Sequence, residues 1–179
     1  VGGHPRAAGW RDRFDHFCSR RYVAWADRWA AGFRSVNSVE LPDLFASWGV
    51  ARDRIHVLYS LYLDFETFCP GPEIEPDVDV TFCGRLVPNK GVPDLLRACA
   101  QAAKSLGDLR IRLIGRGPLE SQIDALAQSL GLSDAIDRVA WVDSSEDLAA
   151  LYRRSHLVVC ASYNEGGPRV APEAMLCGT

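Results

Sequence analysis

Two glutamates eight positions apart, Glu165 and Glu173, flank a glycine pair in the stretch Ser162-Tyr-Asn-Glu-Gly-Gly-Pro-Arg-Val-Ala-Pro-Glu-Ala-Met175. A carboxylate accepts paired hydrogen bonds from vicinal hydroxyls, which suits a sugar or a ribose. Gly166 and Gly167 leave bare backbone N–H groups between the acids, where a phosphate can sit. Pro168 and Pro172 belong just before or just inside a helix, so one is predicted to start between them. A second loop, Gly84-Arg-Leu-Val-Pro-Asn-Lys-Gly91, sets two cations, Arg85 and Lys90, beside a predicted helix start, an arrangement suited to an anion and most naturally to phosphate. It is not a Walker loop, because the order Gly-Lys-Ser/Thr is missing. A third, Ile114-Gly-Arg-Gly-Pro118, carries Gly115 and Gly117, which permit a tight turn and close approach of a ligand to backbone. Taken singly, each loop also fits a plain reading: a solvated turn, a structural glycine pair, or two surface acids.

The three loops need strands that end where they begin. Short apolar runs alternate with helical periodicity from residue 78 onward: strand Val78–Cys83, helix 93–105, strand Leu109–Ile114, helix 118–130, strand Val139–Val142, helix Glu146–Arg153, strand His156–Ala161 and a helix near 169–177. Strands each followed by a helix predict a parallel α/β sheet with right-handed crossovers, whose ligands bind at the carboxyl ends of the strands. Upstream, residues 11–30 read as a helix with aromatic positions and interleaved arginines. That pattern fits a core-facing stripe with a solvated basic face, or a surface that touches membrane or an acidic partner. A strand near Trp29–Phe33, a helix near Ser38–Trp48 and a strand Arg54–Tyr59 follow. Residues 64–77, with Pro70, Pro72 and Pro76 among acids, read as an interdomain linker.

Composition bounds the function. Of 179 residues 47% are apolar and 24% charged, with a net charge of -3 and a pI near 5.8, a balance unlike that of a dedicated nucleic-acid binder. No apolar run approaches the roughly 20 residues that a membrane-spanning helix needs. The first 60 residues hold nine arginines against six acids, and the excess reverses downstream, as expected of two units with different partners. Six scattered cysteines without a Cys-x-x-Cys pair suggest reduced thiols rather than a metal site, and the four histidines show no ligand spacing. Asp77-Val-Asp79 spells a metal-binding triplet but precedes a strand, so it reads as linker solvation. A start at Val1 and a stop at Cys177-Gly178-Thr179 just past a helix predict a fragment.

The ordered set G-R-L-V-P-N-K-G, I-G-R-G-P, L-Y-R-R-S-H and S-Y-N-E-G-G-P-R-V-A-P-E-A-M-L-C-G-T resembles the C-terminal half of family-4 glycosyltransferases of the GT-B fold, the last stretch carrying their Glu-x7-Glu signature. The resemblance implies two Rossmann-like domains: residues 1–63 as the end of the acceptor domain, 64–77 as linker, and 78–179 as the donor domain. By the same analogy Arg85 and Lys90 grip the donor diphosphate, Glu165 contacts the transferred sugar and Glu173 the ribose. Gly166 and Gly167 would then lie near sugar and phosphate, with Gly115 and Gly117 on the donor side. His4 matches the family's first-domain histidine, or is an incidental loop residue. The implied reaction is retaining transfer from a nucleotide-diphosphate sugar to a glycan, lipid or small-molecule acceptor. No essential cofactor or metal is expected, and no nucleic-acid partner. The implied setting is cytoplasmic, at the inner membrane face if the missing first domain makes peripheral contact. Two departures stand out: Ser60-Leu-Tyr-Leu-Asp64 replaces the usual Asn-Gly-(Val/Ile)-Asp, and Asp143 stands near an expected glycine in the base-binding loop. A silent module of the same fold and a dinucleotide-binding oxidoreductase are the alternatives. The latter lacks G-x-G-x-x-G after its first strand.

Overall fold

The structure, a computed structural model, describes residues 9–58, 62–72, 74–163, 165 and 167–179, with the side chains of Arg11 and Asp12 set aside. It falls into two compact units that part between residues 61 and 62.

The first unit comprises helix α1 (Trp10–Ala26), strand β1 (Phe33–Ser35), helix α2 (Glu40–Ser47) and strand β2 (Ile55–Val57). β1 and β2 pair in parallel, Phe33 opposite Ile55. Val23, Phe45, Trp48 and Val50 are buried together, with Phe33 and Ile55 packed against them. α2 begins where the Asn37 side-chain oxygen accepts the Leu41 N–H at 2.9 Å, and Glu40 and Asp43 in its first turn complement the helix dipole.

The second unit has the expected architecture, a parallel sheet flanked by helices. Strands β3 (Val78–Cys83), β4 (Ile111–Ile114), β5 (Ile136–Val139) and β6 (Ser155–Val158) lie in the order β5-β4-β3-β6, all parallel. Helix α3 (Val92–Leu106) buries Val92, Leu95, Leu96 and Cys99, the i, i+3, i+4, i+7 stripe of an amphipathic helix. It packs with helix α4 (Glu120–Ser129) over Phe82, Ile111 and Leu113 on one face of the sheet. Helices α5 (Ser145–Arg153) and α6 (Val170–Leu176) cover the other through Ala149, Tyr152, Ala174 and Cys177. The four buried residues of β4 fit a strand covered on both faces, and its one charged member is held in place: Arg112 Nε donates to Asp137 at 2.7 Å.

Three expectations shift. Residues 64–77 contribute to this unit, since Phe68 is buried and its ring meets Tyr152 at 6.2 Å between centroids. Asp77 and Asp79 are not left to solvent: Asp77 pairs with Arg154, and an Asp79 oxygen accepts the Arg110 N–H at 2.7 Å. β5 lies three residues earlier than expected. Its Val139 is opposite Ile114, the last residue of β4, so Ala140–Val142 run on as loop.

β3 is the first strand of the unit and lies inside the sheet; the chain moves outward to β5 and returns to place β6 on β3's other side. Such a reversal opens a crevice at the carboxyl ends of β3 and β6. The loops that leave β3 and β6 are stitched there by the Tyr163 N–H to the Asn89 carbonyl at 3.0 Å. Gly91 has φ +64, and a Cβ on it would overlap the Ala161 carbonyl oxygen. Gly91→Ala is therefore expected to destabilise the unit by about 2–3 kcal/mol, as strained backbone and overpacking together do, measurable by urea denaturation.

Candidate functional site

The crevice holds a cavity of about 460 Å³ lined by Lys90, Glu165, Gly167 and Glu173 together with Ser162, Arg169 and the buried Tyr152. Lys90 comes from the 3-10 turn Pro88–Lys90 after β3, and Glu165 from the loop after β6. Lys90 Nζ donates to Glu165 Oε1, and both side chains are about three-quarters buried. Burial would raise the Glu165 carboxyl; the Lys90 ammonium and the Ser162 hydroxyl outweigh it and hold the group below the ordinary glutamate value. The pair accordingly adds stability at neutral pH, and that stability is lost as pH falls through the lowered folded value.

Glu173 lies in the first turn of α6 and is 7% exposed. Here burial wins, and the carboxyl is pushed up; the Arg169 guanidinium, 3.9 Å away, and the nearby Tyr152 hydroxyl only partly offset it. Tyr152 is fully buried, and its hydroxyl has no hydrogen-bond partner among the described residues. The two acids of one motif thus differ in kind, one held ionised by a cation and one resisting ionisation.

The expected residues do not all meet. Arg85 is exposed and lines a second cavity of about 440 Å³ with Gly84, Gly115, Arg116, Trp141 and Val142. The two cavities share Cys83 and Leu148 in their walls, so they adjoin at the end of β3. A Cβ on Gly115 would overlap the Gly84 carbonyl oxygen, and one on Gly117 the Leu86 carbonyl oxygen. Both glycines therefore serve loop-on-loop packing, and Gly117 lines neither cavity. His4 and Gly166 lie outside the described residues. Ser162, Arg169 and Tyr152 went unnoticed in the sequence, although Arg169 stands four positions before Glu173 on what becomes one helical face. Among the described residues no three His, Cys, Asp or Glu side chains converge on a common metal position, and no helix is long and apolar enough to cross a membrane.

Residues 66–179 match the sequence profile of the family described as Glycosyl transferases group 1. The chain is 37% identical over 134 residues to a D-inositol 3-phosphate glycosyltransferase of a Mycobacterium species, covering 65% of this chain and 29% of that protein. It is 32% identical to a protein of the same name from Salinispora tropica, over 88% of this chain and 36% of the relative. The chain thus spans about a third of the length of these curated relatives. Anabaena HepE, solved with UDP and glucose, superposes with a TM-score of 0.76 at 24% identity, covering 94% of this chain and 48% of its own. The pneumococcal O-GlcNAc transferase GtfA, solved with UDP and GlcNAc, gives 0.72 at 18%, covering 88% and 31%. The fold shared with these structures is the GT-B type.

Because ionising Glu173 costs more in the folded chain than in the unfolded one, stability falls as pH rises through its raised value. Glu173→Gln is expected to increase Tm at pH 7–8, with the gain shrinking toward pH 4, in thermal unfolding followed across pH.

Proposed function

Because this chain belongs to the group 1 glycosyl transferases, we propose that it forms the donor-binding part of a family-4 enzyme that moves a sugar from a nucleotide-diphosphate donor to a hydroxyl acceptor. The observation that carries this reading is the Lys90–Glu165 pair sharing one crevice with Glu173 at the reversal of strand order. On this reading the chain is a piece of a longer protein, with residues 1–63 closing an acceptor domain and 78–179 forming most of the donor domain.

Lys90 and Glu165 neutralise each other across the crevice. An arriving diphosphate draws the Lys90 ammonium to its oxygens, as charge-assisted hydrogen bonds to phosphate favour. Glu165, released, accepts hydrogen bonds from the hydroxyls of the transferred sugar. Glu173 faces the ribose, where a carboxyl that resists ionisation offers both a donor and an acceptor to a diol. Arg85, at the adjoining cavity, meets the diphosphate from the other side, and Gly166 and Gly167 supply N–H groups beside sugar and phosphate.

The reaction proposed retains the anomeric configuration. The acceptor oxygen bonds to the anomeric carbon on the face the nucleotide leaves, the carbon–oxygen bond to the diphosphate breaks, and the acceptor's proton passes to the departing oxygen. No protein nucleophile takes part, so the chain's contribution is to hold the diphosphate while its charge grows. UDP bound in the structural neighbours supports a nucleotide donor. The name of the curated relatives supports a small polyol phosphate as one acceptor, among the glycan and lipid hydroxyls the family resemblance allows.

In the full-length protein, Lys90→Ala and Arg85→Ala are each expected to lower kcat/KM by about 10²–10³-fold, the usual loss on removing one charge-stabilising group. Circular dichroism should show both variants folded. Turnover and nucleoside-diphosphate affinity unchanged in both would reject the assignment.

A further inference from the structure

The loop after β6 is fastened to the loop after β3 by more than the Lys90–Glu165 pair. Ala161 packs on Gly91, where a Cβ would find no room, and the Tyr163 N–H donates to the Asn89 carbonyl at 3.0 Å. The Tyr163 hydroxyl also donates to Asp94 Oδ2, while Arg97 donates to the other oxygen of the same carboxylate at 2.8 Å. Asp94 lies in the first turn of α3, whose Val92, Leu95 and Leu96 are buried in the core. The tyrosine hydroxyl thus ties the loop to an anchored helix rather than to another loop.

Among the described residues two side-chain rungs therefore join the same two segments, Lys90 to Glu165 and Asp94 to Tyr163. Tyr163 stands two positions before Glu165, and Asp94 four positions after Lys90. Tyr163 is 63% exposed, so its hydroxyl bond, not burial, holds the ring at α3. Both ends of that bond are kept in the form that makes it. The Tyr163 O–H, aided by Arg97, holds the Asp94 carboxyl below the ordinary aspartate value, and Asp94 pushes the Tyr163 phenol up.

The two rungs differ in what donor binding asks of them. On the reading above, a diphosphate draws the Lys90 ammonium away, and Glu165 turns to the hydroxyls of the transferred sugar. The rung through Lys90 then no longer fixes the Glu165 loop. The rung through Tyr163 takes no part in that exchange, since neither Tyr163 nor Asp94 lines the crevice. A carboxylate binds a sugar hydroxyl well only while its oxygens stay within hydrogen-bond geometry, and a loop free to drift loses that alignment.

We propose that Tyr163, seated on Asp94, is a positioning residue that holds Glu165 against the transferred sugar once the Lys90 contact is given up. The proposal rests on the donor-site reading above and adds the element that keeps its sugar-binding acid in place. Arg97 serves the same end by orienting Asp94.

The test is isothermal titration of the full-length protein with UDP, GDP and ADP and with the glucose conjugate of each, beside thermal unfolding without ligand. Tyr163→Phe removes only a hydroxyl from an exposed side chain, so it is expected to fold as the parent does, with Tm unchanged because the Lys90–Glu165 rung remains. It should weaken the sugar nucleotide by about three- to tenfold, the worth of one hydrogen bond, and leave the bare diphosphate within about twofold of the parent. Asp94→Ala should do the same, and Asp94→Asn, which keeps an acceptor, should recover part of the loss. In a Glu165→Ala background Tyr163→Phe should add no further loss, because it acts through that residue. An equal loss for sugar nucleotide and bare diphosphate, a loss that persists in Glu165→Ala, or affinities unchanged in Tyr163→Phe would overturn the positioning role while the donor site stands. A parent that binds none of these ligands, or a Lys90→Ala variant that binds them as the parent does, would remove the donor site itself, and this proposal with it.

Discussion

The structure of the second unit depends on β6 lying directly against β3. The contact is buried: the Thr81 and Ser155 hydroxyls bond at 2.7 Å, Ser155 also donates to the Leu151 carbonyl at 2.8 Å, and the Val159 N–H reaches the Thr81 carbonyl at 2.8 Å. A hydroxyl pair in a low-dielectric interior is held strongly when every member is satisfied, and it fixes which strands meet. With β6 seated there, the loops after β3 and β6 face each other with no crossover helix between them. Lys90 and Glu165, 75 positions apart, become neighbours for that reason alone. A sheet with β6 at its far edge would leave each charge alone.

The charges at the crevice then follow from burial and pairing. The Lys90–Glu165 pair outweighs the burial of its carboxylate, which keeps Glu165 ionised, and it joins the loop after β3 to the loop after β6. Glu173 has only a distant guanidinium to offset its burial and sits beside a tyrosine whose hydroxyl is itself unpartnered among the described residues. Ionising Glu173 thus costs stability, while Glu165 and the lysine are mutually satisfied.

Most of the fold was legible because local patterns and tertiary needs agree. Val92, Leu95, Leu96 and Cys99 mark one helical face, and the helix they predict is the one that forms. The β5 register was not legible, since Val139-Ala-Trp-Val142 reads as strand. It fails to pair because β4 stops at Ile114, and the Gly115 N–H to the Val139 carbonyl at 2.8 Å is the last rung available. Strand length here is set by the neighbour, which no local pattern encodes. The prolines of residues 64–77 suggested a linker, yet Phe68 finds Tyr152, a partner 84 positions away that only the assembled sheet supplies. In the site, the residue types were readable from the three loops, but their grouping was not. Arg85 and Lys90 share one loop and face different cavities, because the turn at Pro88–Lys90 redirects the chain between them.

That separation gives the Gly-Arg-Gly segment its meaning. The Leu86 N–H donates to the Arg116 carbonyl at 2.9 Å, the Leu119 N–H to the Leu86 carbonyl at 3.2 Å, and the Gly117 N–H to Glu120 at 2.8 Å, so the loops after β3 and β4 form one rigid body. Arg85 and Arg116 project from that body at a single cavity, each without an acid to neutralise it among the described residues. Two like charges held at one apolar cavity repel, and desolvating them further costs free energy unless an anion or an acceptor edge arrives. Rigid backbone prevents the loops from parting to relieve the repulsion. The close glycine contacts of Gly115 and Gly117 with the loop after β3 are what keep these two exposed guanidiniums at one cavity.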